Sequence, residues 1–151
     1  MLGTMLKQSW SVSVYNNTLI TVWGDSDIRG VAEASASLLR LTKQTDAVCL
    51  IAILCGKMKL PSAQFREASA NLLAEHKGTL RANALVVEEV GLTGTALRSV
   101  LTGLSLVARY EGHMKVFKSI NDAAVWTAPH AKSEHFELVN ACRACRAQVT
   151  G

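Results

Sequence analysis

Apolar and polar positions change their period several times along the chain, and each change marks an element. From Ser9 to Gly24 the sequence reads SWSVSVYNNTLITVWG. Trp10, Val12 and Val14 alternate with Ser9, Ser11 and Ser13, the period of two expected of a strand with one polar face. Asn16-Asn17 can take the left-handed backbone that a two-residue hairpin turn demands, and Leu19 to Trp23 returns as the second strand. Asp25-Ser26-Asp27 then offers capping oxygens and acidic charge at a helix start. Ile28, Val31, Ala32, Leu38 and Leu39 form an apolar stripe at helical spacing, running to about Lys43.

The stretch DAVCLIAILCG, Asp46 to Gly56, holds an unbroken apolar run from Val48 to Leu54. Such a run predicts a strand buried on both faces, at the centre of a helix-covered sheet. Cys49 and Cys55, at even spacing, share one face of it and read as small buried hydrophobes. After Lys57-Met58-Lys59-Leu60-Pro61, Ser62 stands as the N-cap of a helix with Phe65, Ala68, Leu72 and Leu73 on one face, ending near Gly78. Ala82 to Val87 is a second buried strand. Gly91-Leu92-Thr93-Gly94 turns into a helix with Leu97, Val100, Leu101, Leu104 and Ala108 inward. Lys115 to Lys118 is a short strand, and Ser119 to Asp122 caps a helix through Ala123, Ala124 and Trp126.

This order predicts a single α/β domain over residues 9–128. Its mixed sheet is opened by an antiparallel hairpin, continued by parallel pairing and covered by helices. Pro129 ends that body. Residues 129–151 read as an appendage with a short C-terminal helix, capped by Ser133, acidic at Glu134 and Glu137 and basic at Arg143 and Arg146.

Composition narrows the classes of function. At 151 residues, 49% hydrophobic and 19% charged, the chain has the makings of one globular domain. Its N-terminus lacks the apolar core of a signal peptide, and no apolar run nears the ~20 residues of a spanning helix. The expected location is the cytoplasm, with no membrane partner and with cysteines as thiols. A net charge of +4 from scattered basic residues gives no nucleic-acid footprint.

The element order and the closing VFKSINDAAVW resemble the STAS domain and its SpoIIAA-like relatives, with Phe117, Ala123, Ala124 and Trp126 in the family's usual pattern. The resemblance implies a non-enzymatic protein-interaction or regulatory module, like the anti-sigma-factor antagonists. Its partner would be another protein or a second copy of the chain. In regulatory members the central strand leads to an Asp-Ser/Thr-Ser-Gly-type turn whose hydroxyl is phosphorylated. This chain departs there, and only Ser62 occupies the matching location. Lys57 and Lys59 would draw a phosphate to that helix start, whereas a plain capping serine needs nothing more.

Other constellations carry candidate chemistry. His130, His135, Cys142 and Cys145 are four zinc-type ligands in one segment, the cysteines at C-x₂-C spacing. Their alternative is a tail helix whose thiols pack or lie free. Gly91, Thr93 and Gly94, with Arg98 one turn on, sit where an open α/β sheet binds anions, though a glycine turn alone explains them. Glu88-Glu89 ends a strand and could do acid/base work with His76 or His113. No cofactor or metal is assigned. A small-molecule carrier or sensor with a pocket beside Ser62 and Gly91–Gly94 is the first rival to the interaction module, and an enzyme the second.

Overall fold

The computed structural model describes residues 8–56, 61–76, 78–88 and 114–149. Strands β1 (Trp10–Tyr15) and β2 (Thr18–Trp23) form the hairpin that their alternation predicts, from Trp10 opposite Trp23 to Tyr15 opposite Thr18. Of the two turn asparagines only Asn16 is left-handed, at φ 52°. β3 (Val48–Leu54), β4 (Leu80–Val87) and β5 (Met114–Phe117) complete a five-stranded sheet in the order β1-β2-β3-β4-β5, parallel from β2 onward. The sheet is therefore mixed, with β3 central and buried at every position.

Four α-helices lie among the described residues: α1 (Ile28–Gln44), α2 (Ala63–Glu75), α3 (Ile120–Thr127) and α4 (His135–Arg146). A 3₁₀ turn, Ala128–His130, joins the last two. Each of the first three begins where a side-chain oxygen meets an orphan amide. Asp27 accepts from Arg29 N at 2.9 Å, Ser62 from Phe65 N at 3.2 Å and Ser119 from Asp122 N at 3.1 Å. The Arg29 guanidinium beside Asp27 holds its carboxyl down to about 2.

Strand alternation sends side chains to two separate cores. On one side Leu19, Leu50 and Leu80 meet Ala34, Leu38 and Leu41 of α1 and Ala70 and Leu73 of α2. Gly30 lets α1 approach β2 there, because a Cβ at that position would stand 2.5 Å from the Trp23 ring. On the other side Ile20, Val22, Ile51, Ile53, Ala84 and Val86 meet Ala123 of α3, Cys142 and Cys145 of α4, and Val149.

Several expectations change. The buried stripe of α1 is Val31, Ala34, Leu38 and Leu41, while Ile28 and Leu39 are exposed. Residues 129–149 are part of the body rather than an appendage, because α4 covers the second side of β1 and β2. The serine face of β1 is thus covered as well. Ser11 is buried, donates to Gln148 Oε1 at 3.1 Å and accepts from Cys145 Sγ at 3.4 Å. Tyr15 donates to Glu137 at 2.7 Å, and Asn17 accepts from Lys132 N at 2.8 Å. Ser133 does not cap α4. It accepts from Asn16 Nδ2, and Glu137 instead returns to the Glu134 N–H at 2.9 Å. Lys57, Lys59, the helix expected over 93–109, Gly91, Thr93, Gly94, Arg98, Glu89 and His113 lie outside the described residues.

Candidate binding cavity

The sheet side under α1 and α2 encloses a cavity of about 80 Å³. Small residues make the space. Ala52 sits at the middle of β3, in register with Thr21 on β2 and Leu85 on β4, and Ala34 of α1 faces the same hollow. Leu50, Leu54 and Leu85 extend the floor, and Leu72 and Leu73 of α2 form the roof. Trp23 and Phe65 close one end edge-to-face, with ring centroids 5.0 Å apart at 83°. Pro61, immediately before the Ser62 cap, and the exposed Arg66, one turn after it, lie at the rim.

Two polar side chains line this apolar space from the sheet. Thr21 is buried, and its Oγ1 accepts from Trp23 Nε1 at 3.1 Å. Asn83 is fully buried in the middle of β4. Its Nδ2 donates weakly to Met114 Sδ at 3.6 Å, and its Oδ1 has no hydrogen-bond partner among the described residues. A buried amide oxygen without a partner costs about 1–3 kcal/mol of stability. From sequence, Ala82 to Val87 reads as an apolar, buried strand, with no role marked out for this residue. The mark was present, a lone amide inside ANALVV.

The residues singled out from sequence distribute differently. Ser62 is exposed, beside the cavity, its hydroxyl oxygen engaged as a cap. The four zinc-type side chains do not converge. His130 and His135 are exposed, Cys142 and Cys145 are buried against the sheet, and no group of three or more ligating side chains among the described residues is placed to hold a metal. Burial pushes the thiols of Cys49 and Cys142 up to about 12 and that of Cys55 to about 11, so they remain protonated and unreactive at neutral pH. Glu88 holds Arg146 through two contacts, at 2.8 and 3.1 Å, an ion pair that fastens the end of α4 to the end of β4. His76 precedes β4 and Glu88 follows it, so the whole strand separates that carboxylate from that histidine. No helix among the described residues is long and apolar enough to cross a membrane.

Compared with known protein families, curated proteins and solved structures, the chain matches none. The resemblance to the STAS family therefore rests on element order and on Lys115–Trp126.

Proposed function

We propose that this chain is a non-enzymatic carrier or sensor of a small molecule, which occupies the cavity between the sheet and α1–α2. One observation carries the reading: a mostly apolar hollow of about 80 Å³ lies between the sheet and α1–α2, with the polar side chains of Thr21, Ser69 and Asn83 among its lining. Apolar walls with a few placed polar groups are how proteins hold small ligands. The resemblance to anti-sigma-factor antagonists supplies the regulatory setting, in which occupancy of the cavity alters contact with a protein partner.

Native mass spectrometry of gently purified protein tests this. The expected result is an organic mass bound one to one, lost when Ala52→Val fills the space. A bare wild-type chain would overturn it.

A second reading, the protein-interaction module without a ligand, draws on Val125 and Phe136, exposed by 51% and 58% on the paired helices α3 and α4. The same spectrum reports subunit number. A bare homodimer that Phe136→Ser dissociates would favour it.

A further inference from the structure

We propose that the outer edge of β1 docks a second copy of the same chain, the two β1 strands pairing antiparallel about Val12 so that the sheet continues across a two-fold axis. This contact is independent of the cavity. Hairpin geometry decides which main-chain groups face outward, because alternate residues of an antiparallel strand turn both N–H and C=O toward the same neighbour. Gly24 N–H donates to Ser9 O at 2.7 Å, and the register sets Ser11 against Val22, Ser13 against Ile20 and Tyr15 against Thr18. The odd-numbered residues therefore bond to β2, and Trp10, Val12 and Val14 present their amides and carbonyls to the outer edge. Among the described residues no other main-chain group pairs with them.

The edge lacks what keeps such strands single. Edge strands are commonly blunted by a charge, a proline or a bulge. WSVSVY holds no charged residue and no proline, and its pairing with β2 runs without a register shift. β5, at the other end of the sheet, is only four residues long and carries the exposed Lys115. What selects a second copy is the match of the strand to itself. Pairing centred on Val12 sets Val12 opposite Val12, Trp10 opposite Val14 and Ser11 opposite Ser13, so apolar groups share one face and hydroxyls the other. The outward residues form the bonded pairs, giving about six main-chain hydrogen bonds between the copies. Val14, apolar yet 46% exposed, gains Trp10 of the second copy as cover, and an aromatic against a β-branched side chain is a favourable cross-strand pair. With no charge on either strand, nothing on the paired edges repels.

The test is sedimentation equilibrium of the whole chain from about 1 μM to about 1 mM, with amide hydrogen exchange followed by NMR at both ends of that range. The expected result is a monomer–dimer equilibrium in which the Trp10, Val12 and Val14 amides exchange about tenfold more slowly, or slower still, at the high concentration. Val14→Lys, a change at an exposed side chain, should weaken the dimer by about tenfold or more, whereas Phe136→Ser on α4 should leave it unchanged. A chain that stays monomeric throughout overturns the proposal. So does a dimer in which those three amides still exchange fast, since its contact lies elsewhere. Protection of the three amides that is equal at both concentrations overturns it too, because the chain then covers its own edge. The exchange pattern of the wild type decides among these results whether or not the variants fold.

Discussion

The two sides of the sheet are built from alternate residues of the same strands, yet they are packed differently. Toward α3 and α4, β-branched Ile20, Val22, Ile51, Ile53 and Val86 close against Ala123, Cys142, Cys145 and Val149. Toward α1 and α2, alanine stands at Ala52 and Ala34, a threonine and an asparagine enter the wall, and about 80 Å³ stays open. Among the described residues the hydroxyls of Thr18 and Thr127 also lack partners, but neither lines the cavity. Density holds a domain together, and a void and an unpaired buried amide each lower its stability. The difference is one of packing: the side closed by the C-terminal helix is filled, and the side closed by the crossover helices α1 and α2 keeps a hollow.

The most severe break is Ile51→Asp on the dense side. It puts an unpaired charge at a fully buried position of the central strand and should prevent folding, seen as loss of far-UV circular dichroism and of soluble yield. One methyl-scale change sharpens the contrast further. Ala84→Val, on the dense side, should cost about 1–3 kcal/mol by overpacking. Ala52→Val, on β3 toward the cavity, should instead gain about 0.5–1 kcal/mol by filling space. Urea denaturation midpoints moving the same way in both variants would remove the distinction. Within the dense side, Cys142→Ser should cost about 1–3 kcal/mol because it places a hydroxyl among buried apolar side chains. Cys145→Ser should cost less, since Ser11 Oγ already lies 3.4 Å away and can accept. Thermal melts of the two single variants compare them.

The smallest expected effects are in pH. Asp27, at the start of α1, has its folded pKa lowered from 3.8 to about 2. Its stabilisation is complete above 3.8 and is lost as pH falls through about 2. On the other side, the hydrogen bond to Glu137 raises the Tyr15 pKa above 10.0. That contribution is present below 10.0 and lost as pH rises through the higher folded value. Tyr15→Phe should therefore melt below the wild type at neutral pH and converge with it in strong alkali, while Asp27→Asn converges only in acid. A Tyr15→Phe difference that persists at high pH would separate the bond from the side chain's packing.

Much of the architecture could be read from local pattern. The alternation in SWSVSVY, the asparagine turn, the apolar run of β3 and the capping residues Asp27, Ser62 and Ser119 each specify their element through neighbours a few residues away. What failed had a remote cause. Ser11 and Ser13 carry the pattern of a solvated face, and nothing near them shows that α4, more than 120 residues later by the Tyr15–Glu137 separation, covers that face of the hairpin. Ser133 has the composition of a cap, but Asn16 engages it from the hairpin turn. The zinc-type set has ligand spacing along the chain, yet helical geometry turns both cysteines into the sheet and leaves the histidines in solvent.

The cavity shows the same division. Its floor residues were legible as buried, and Asn83 was visible as a polar interruption. That Ala52, Ala34 and α2 leave room around it depends on how two helices and three strands meet. Among the described residues, sequence by itself determined the strands and helices, their order and the mixed sheet, because periodicity, caps and turn chemistry act over a few residues. Tertiary structure alone decided which face α4 covers, which thiols are buried and where the hollow lies, because those follow from the fit of side chains far apart in the chain.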